Sequence, residues 1–474
     1  MHLNTKEKDT RMTLQKVLKK SFHDNCQQVA IITDTFHEKY CVLEEKALYV
    51  SSNLINYCGI NEMVAMLFGM PENYVYGVLG VLFSINILIP LDPIYPVSQL
   101  IRRILMTNCR YIIIDKSVSP KMITQLNVHG LKLLYIEDIL KERSHFNPPL
   151  YGKSEDAIYV YFTSGTSGES KAVLGKNKSL LHFINWEIKE FNINNQDIFA
   201  QLTSPAFDPF LRDIFTPLCS GAKIRFTNRR IVTVPRLLGV FLRKAEITVL
   251  HTTPSILRAL LTCHFCKDPF VRLRYLMLAG EPVTLDLIKK WNADHNRKTT
   301  LVNLYGPTET TLAKVFAYIP NNYSYENVPV GKPIEGVSVY VVNEMASLCE
   351  DGEIGEVYIE TEYMTEGYLH DPNNPSFGIN KQGNRWYKTG DLSFLRDGSL
   401  YLVGRIDDRI KIGGVRVRLN EIKRNVLLFP EEKIDDCVIL YEKGFLFLSC
   451  HSTRKYKSAT FVSAALSSSN SNSS

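Results

Sequence analysis

The stretch "YVYFTSGTSGESKAVLG", Tyr159–Gly175, decides how the chain is read. The apolar run Ile158–Phe162 has the character of a buried strand. Beyond it, Thr163–Gly168 offers four hydroxyls, two glycines and backbone N–H groups with little side chain in the way. Glycine allows close approach and unusual dihedrals, and successive N–H groups in such a loop form an anion nest. Lys171 adds a point charge. This chemistry suits a polyphosphate. The GxxxxGK[ST] spacing of the Walker loop is absent, and alone the segment reads as well as a flexible Ser/Gly surface loop.

Outward from this stretch, helical and strand-like segments alternate. Helical spacing appears at Thr13–Phe22, Lys46–Cys58, Val97–Met106, Asn177–Phe191, Val234–Ala245, Pro254–Leu261 and Thr284–Trp291. Between them lie strand-like runs at Val29–Ile32, Tyr111–Ile114, Leu131–Tyr135, Lys223–Phe226, Thr248–Leu250, Leu273–Leu278 and Thr300–Leu304. Such alternation predicts an α/β protein with layered, mainly parallel sheets. From about Val328 strands separated by Gly and Asp turns dominate (Val337–Val342, Gly355–Glu360, Ser399–Val403), which predicts a smaller β-rich unit. The final Ser467–Ser474, all Ser and Asn, is expected to be disordered.

The chain has 474 residues, enough for two or more domains or subdomains. It is 45% hydrophobic and 22% charged, ordinary for a globular protein. The net charge of +6 and the short basic clusters Lys16–Lys20 and Asn228–Arg230 give little reason to expect nucleic acid. Ten scattered Cys argue for reduced thiols in the cytoplasm, and the single CxxC of Cys263 and Cys266 is weak evidence for metal. No secretory signal opens the chain. The uncharged run Asn73–Leu91 invites a membrane reading. Ser84, Asn86 and Pro90 within it favour a buried helix, about Tyr74–Phe83, running into a strand, Ile85–Leu91, and no membrane span.

Three further stretches accompany the glycine loop: "NLYGPTET" at Asn303–Thr310, "WYKTGDL" at Trp386–Leu392 and "GRIDDRIKIGGVRVRLNEI" at Gly404–Ile422. In this order and at these separations they resemble the adenylate-forming (AMP-binding) enzymes, which include acyl-CoA synthetases, firefly luciferase and the adenylation domains of nonribosomal peptide synthetases. The resemblance runs from about Met12 to Leu428. It implies a large adenylation domain over residues 12–403, with two layered α/β subdomains and a small β-barrel-like subdomain at about 328–403. A small α+β C-terminal domain would follow at 404–466, shorter than the family's and so truncated. The implied chemistry has two steps. A carboxylate attacks the α-phosphate of ATP, giving an acyl-adenylate and pyrophosphate. A phosphopantetheine or CoA thiol then takes the acyl group, on a carrier protein in some relatives.

The residue roles that follow are implied by the resemblance. Thr163, Ser164, Gly165, Thr166, Gly168 and Lys171 would hold the β- and γ-phosphates. Tyr305, within Asn303–Gly306, would stack on adenine, bordered by Gly280, Glu281 and Pro282. Thr308 would touch the α-phosphate and Glu309 would coordinate Mg²⁺, a hard cation that wants carboxylate and phosphate oxygens. Asp391 would accept from the ribose hydroxyls, with Arg405 beside it. Lys411 falls where some relatives assist the second half-reaction.

"SPAFDPFLRDIFTPLCSGA", Ser204–Ala222, is similar to the segment by which amino-acid-activating domains seize the substrate amine. Asp208 would pair with the ammonium group. Pro209, Arg212, His251, Met277, Ala279, Leu304, Leu312 and Ala313 fall on positions that line the same pocket. "RDIFTPL" in particular resembles the adenylation part of α-aminoadipate reductases. A cation at Arg212 would suit a substrate with a second carboxylate, unless it turns away to pair with Asp213. The expected substrate is therefore 2-aminoadipate, with β-alanine or another small amino acid behind it.

The chain departs from the family in one important place. A second lysine, in a C-terminal "GK" element, is not found; Lys455 and Lys457 in "STRKYKSAT" do not match it. An incomplete chain, a domain completed by another protein, and a binding relic all remain open. Nor does the chain carry a carrier-domain serine motif or a reductase domain. The alternatives are a fatty or aryl acid:CoA ligase, from which Asp208 discriminates, and a catalytically weak nucleotide-binding protein.

Overall fold

The structure, a computed structural model, describes residues 12–141, 151–164, 170–263, 270–294, 298–325 and 327–406, together with the backbone of five later strands between 409 and 462. Most of the chain lies in two mixed sheets with helices packed between and around them. The first is nine-stranded. Six parallel strands run side by side in the order Thr300–Tyr305, Tyr275–Ala279, Val249–Thr252, Ile198–Ala200, Lys223–Arg225, Val29–Ile32. Antiparallel strands close both edges: Val315–Ile319 then Lys332–Pro333 at one, His37–Lys39 at the other.

The second sheet is seven-stranded. Ala157–Ser164, Ile87–Leu91, Met63–Leu67, Tyr111–Ile114 and Lys132–Tyr135 are parallel, and Ser170–Lys176 and Gly367–Tyr368 add an antiparallel edge. A third, antiparallel sheet is built from Ser338–Val342, Gly355–Glu360, Phe377–Ile379, Arg385–Arg396 and Ser399–Arg405. The α/β class read from the alternation is the one observed. The central parallel strands, such as Met63–Leu67, Tyr111–Ile114 and Val249–Thr252, are buried on both faces, which is why they read as continuous apolar runs.

Helices Leu14–Asp24, Tyr40–Cys58, Asn73–Phe83, Asn177–Glu190 and Pro209–Ser220 share one core with side chains of both large sheets, among them Ile31, Phe199 and Val302 of the first and Val64, Tyr159 and Tyr161 of the second. Asn73–Leu91 is a helix to Phe83 and then a strand from Ile87, and among the described residues no helix is long and apolar enough to cross a membrane.

Three expectations need correction. The helix expected from Lys46 begins at Tyr40, because Tyr40 and Leu43 bury the same face as Ala47 and override the β-like local sequence. The strand expected to end at Phe162 runs to Ser164, because Thr163 and Ser164 pair with Lys171 and Ser170 across an antiparallel hairpin. The pocket segment after Asp208, not assigned to a helix from its sequence, is the helix Pro209–Ser220. Its signals were present: Pro in the first turn and Gly221 just past the end.

One contact fixes how the hairpin sits on the core. Tyr159 faces Gly175 across the ladder, and a Cβ at residue 175 would lie 1.8 Å from the Tyr159 ring carbon Cζ. The Tyr159 hydroxyl in turn donates to Thr311 Oγ1 at 3.0 Å. Gly175→Ala is therefore expected to destabilise the protein by about 2 kcal/mol or more. Gly404→Ala, where a Cβ would meet open space, should stay within about 0.5 kcal/mol. Urea unfolding of the two variants measures the difference.

Candidate functional site

The site begins at the turn that follows strand Thr300–Tyr305. Thr308–Thr310 forms one 3₁₀ turn, and Thr311 and Leu312 then take left-handed φ values of 65° and 60°. Neither residue favours that region, so the turn must be held. Asp208, at the start of helix Pro209–Ser220, holds it from below: Oδ1 accepts from Thr308 Oγ1 at 2.9 Å and Oδ2 from Leu312 N at 3.3 Å. The Tyr159 hydroxyl holds it from the other side. Gly306 lets the turn fold back, since a Cβ there would stand 2.2 Å from the Leu312 carbonyl oxygen.

Burial pushes the Asp208 carboxyl above the usual carboxylate range, with the Thr308 and Leu312 hydrogen bonds and the Arg212 charge opposing it. A carboxylate has about four acceptor positions, and two are used here. Met277, Leu304, Leu312 and Ala313 belong to the large core that the two sheets share, and Ala279 packs against it. Ala279 is the cross-strand neighbour of Leu304, and Met277 that of His251. The structure thus brings together most of the residues read as pocket-lining.

Arg212 and His251 differ from expectation. Arg212 Nε bonds Asp213 Oδ1 at 3.3 Å, while its two Nη nitrogens make no hydrogen bond among the described residues. His251 has no nitrogen left for a ligand: Nδ1 lies 3.0 Å from Asp213 Oδ1 and Nε2 3.0 Å from Glu187 Oε1. His251 therefore offers no hydrogen bond to a ligand in this arrangement. Glu187, on helix Asn177–Glu190, was missed in the sequence. The available signal was an acid three and four residues past Ile184 and Phe183, both fully buried.

Among the residues expected to meet the nucleotide, Tyr305, Asp391 and Arg405 form one unit. The Tyr305 hydroxyl donates to Asp391 Oδ2 at 2.6 Å, and Arg405 Nη1 is ion-paired with Asp391 Oδ1. Asp391 and Arg405 are cross-strand partners, so the sheet register puts them side by side. Tyr305 is 9% exposed and packs with Val315, Val330 and Val341, which leaves little of its ring for the expected stacking on a base. Asn303 donates to the Pro329 carbonyl at 2.9 Å. Gly280, Glu281 and Pro282 follow strand Tyr275–Ala279, and Glu281 Oε2 caps the start of helix Pro254–Leu261 through Ser255 N at 2.9 Å and Oγ at 2.5 Å.

Glu309 accepts from the Tyr368 hydroxyl at 3.0 Å through Oε1, and its buried Oε2 has no hydrogen-bond partner. Lys171 Nζ stands 4.5 Å over the Tyr368 ring and 3.5 Å from Asp371 Oδ2. The lysine end of the glycine hairpin is thereby joined to Glu309 through one tyrosine. Among the described residues no group of three or more candidate metal ligands occurs. Gly165, Thr166, Gly168 and Cys266 lie outside the described residues, as do Lys455 and Lys457. Ser164 and Lys411 are described by their backbone, at the end of Ala157–Ser164 and within Arg409–Ile412.

Among the described residues one buried lysine is left without a hydrogen-bond partner. Lys314 follows Ala313, is fully buried, and its Nζ has no hydrogen-bond partner. Burial pushes its pKa from 10.5 down to about 7. An amine with a lowered folded-state pKa costs stability in full below about pH 7, and that cost fades as pH rises toward 10.5. Lys314→Met should therefore stabilise the protein by about 2–4 kcal/mol at acidic pH. The gain should shrink between pH 7 and 10, as measured by urea unfolding along a pH series.

Comparison with known proteins agrees with this geometry. The AMP-binding enzyme family model matches residues 18–369. Gramicidin S synthase 2 of Aneurinibacillus migulanus is 28% identical over 441 residues, covering 90% of this chain and 10% of its own length. Tyrocidine synthase 3 of Brevibacillus parabrevis is 27% identical, covering 96% of this chain and 7% of its own. The chain thus spans a tenth or less of these two relatives. Among solved structures, the artificially fused adenylation–PCP di-domain NpsA–ThdA from Klebsiella oxytoca superposes with a TM-score of 0.80 at 20% identity, over 92% of this chain and 88% of that one. The nonribosomal peptide synthetase FmoA3 gives 0.74 at 22% identity, over 83% and 42%. Those two likenesses bear on the fold. With the family model matched across most of its length, the chain belongs to the AMP-binding enzymes, the adenylate-forming ligases.

Proposed function

We propose that the chain activates the carboxylate of an amino acid as an aminoacyl-adenylate, using ATP, for transfer to a phosphopantetheine or CoA thiol. The observation that carries this reading is Asp208. It is a buried carboxylate with acceptor capacity to spare, hydrogen-bonded to Thr308, the residue proposed to meet the α-phosphate. An ammonium group on Asp208 would leave the substrate's own carboxylate on the Thr308 side, in reach of the phosphate it must attack. A fatty or aryl acid gains nothing from a buried anion, which costs stability unless it is paired.

The chain's own residues divide the work. Asp208 holds the amine and Thr308 orients the reacting end. Asp391, with Arg405 and Tyr305, receives the ribose. Thr163, Lys171 and the loop between their strands receive the phosphates. The orphaned oxygen of Glu309 fits a magnesium ion, whose remaining ligands would be phosphate oxygens and water. When bound, that ion neutralises phosphate charge.

For the substrate, an amino acid with a second acid group is favoured, 2-aminoadipate before β-alanine. The support is Arg212, whose Nε is committed to Asp213 but whose Nη pair makes no hydrogen bond among the described residues. A guanidinium edge of this kind can meet a carboxylate with two parallel bonds. Of possible acceptors, a carrier protein is the partner to expect.

Calorimetry and pyrophosphate exchange test the reading. ATP·Mg²⁺ should bind, and Asp391→Ala should weaken it by about tenfold or more. Asp208→Asn should keep ATP binding and lose amino-acid-dependent exchange. Exchange driven as well by a fatty acid as by any amino acid would overturn the assignment.

A further inference from the structure

One cluster of charged side chains is built more elaborately than a pocket wall requires. Glu187, His251, Asp213 and Arg212 are all buried, from 0 to 4% exposed. They come from helix Asn177–Glu190, strand Val249–Thr252 and helix Pro209–Ser220. Each carboxylate uses both oxygens as acceptors. Glu187 accepts from His251 through Oε1 at 3.0 Å and from Thr216 Oγ1 through Oε2 at 2.6 Å. Asp213 Oδ1 lies 3.0 Å from His251 Nδ1 as an ion pair and accepts from Arg212 Nε at 3.3 Å, and Oδ2 accepts from Thr203 Oγ1 at 2.5 Å.

This pattern fixes the state of the histidine. A neutral imidazole carries one N–H and cannot donate to two carboxylates. With an acceptor on each side, His251 must donate from both ring nitrogens and so carries a positive charge. The cluster then holds two anions and two cations and is neutral as a whole, which is what burial demands. The groups facing His251 are Glu187 from one helix, Asp213 and Arg212 from the other, and the uncharged Phe199 ring at 5.9 Å from the neighbouring strand. Burial and the Arg212 charge oppose the imidazolium, and the two carboxylates outweigh them, so its pKa is raised.

We propose that Glu187 is a positioning residue of the substrate pocket. It touches no substrate, but by holding His251 between two carboxylates it fixes the charge of the pocket wall and the side on which Asp213 holds Arg212. The wall is neutral with Glu187 present. Without it the same wall carries one excess positive charge whenever His251 is protonated. Selectivity between an acidic and a neutral amino acid, insensitive to pH in the native chain, should then follow the protonation of His251. Only this ligand consequence rests on the amino-acid reading above.

The experiment uses the full chain, as wild type, Glu187→Gln, Glu187→Asp and Thr216→Val. In the first arm, 2-aminoadipate and 2-aminohexanoate compete in the presence of ATP, read as thermal shift between about pH 5.5 and 7.5. The wild-type preference should stay flat. In Glu187→Gln, preference for the acid should be highest at low pH and fall by about tenfold across the window. Glu187→Asp should restore the flat profile. Thr216→Val, which removes only one bond to Glu187, should move it in the same direction by less. In the second arm, urea unfolding needs no ligand. A histidine whose raised pKa is lost gives up stability that was present at acid pH, so the gap between wild type and Glu187→Gln should be widest there and narrow as pH rises. Flat profiles for Glu187→Gln in both arms, or in Thr216→Val if Glu187→Gln does not fold, would overturn the proposal. A narrowing gap without any amino-acid binding would sustain the role of Glu187 and refute the amino-acid reading instead.

Discussion

The turn from Thr308 to Leu312 is held in a backbone shape that threonine and leucine avoid, and one buried carboxylate does most of the holding. Asp208 bonds both ends of the turn, and Tyr159 braces its middle. Each of these anchors belongs to a different layer of the molecule. Asp208 opens a helix packed between the sheets, Tyr159 lies in the second sheet, and the turn itself extends the first. Two left-handed residues in succession cost a few kcal/mol (about 1–3 each), so the turn exists only where three elements converge on it. Thr308 and Leu312 are then positioned by one constraint, because Asp208 bonds both.

Much of this arrangement was legible in the sequence. Strand–helix alternation indicates an α/β protein because parallel strands covered on both faces must be short, apolar and separated by helices. The glycine stretch and the motifs around Tyr305, Asp391 and Arg405 point to the family because their order and spacing are carried by the motif residues themselves. Less legible was whatever depends on a partner far away in the chain. Helix Pro209–Ser220 carries end signals, yet β-branched and aromatic residues in its middle mask its period; burial against both sheets decides it. The occupied state of His251 follows from Glu187, 64 residues earlier, and nothing local announces that pairing. The covered ring of Tyr305 likewise results from a third sheet folding over it.

Buried charge is treated in two different ways within a short distance. In the Glu187–Arg212 cluster every charge meets an opposite one, and the whole is inert toward solvent. Asp208, Glu309 and Lys314 are each left with an unmet demand: a spare acceptor position, an orphaned oxygen, an unpartnered amine. Unmet demand is tolerated in a protein interior only where something else supplies the partner or where the group gives up its charge. Asp208 and Glu309 suit the first description and Lys314 the second.

The short strand Gly367–Tyr368 completes the edge of a sheet by pairing with Ser170–Lys176, nearly two hundred residues earlier, and Lys171 meets Asp371 across a separation of 200 residues. Until that distant segment exists, the hairpin strand Ser170–Lys176 presents a bare edge of N–H and C=O groups. A chain emerging from the ribosome would carry that edge uncovered through the synthesis of seven of the nine strands of the first sheet. Long-range closure of this kind is slow, and open strand edges invite other chains to pair with them. The hairpin edge is therefore sealed only after both large sheets have otherwise been made, later than any other edge of its own sheet.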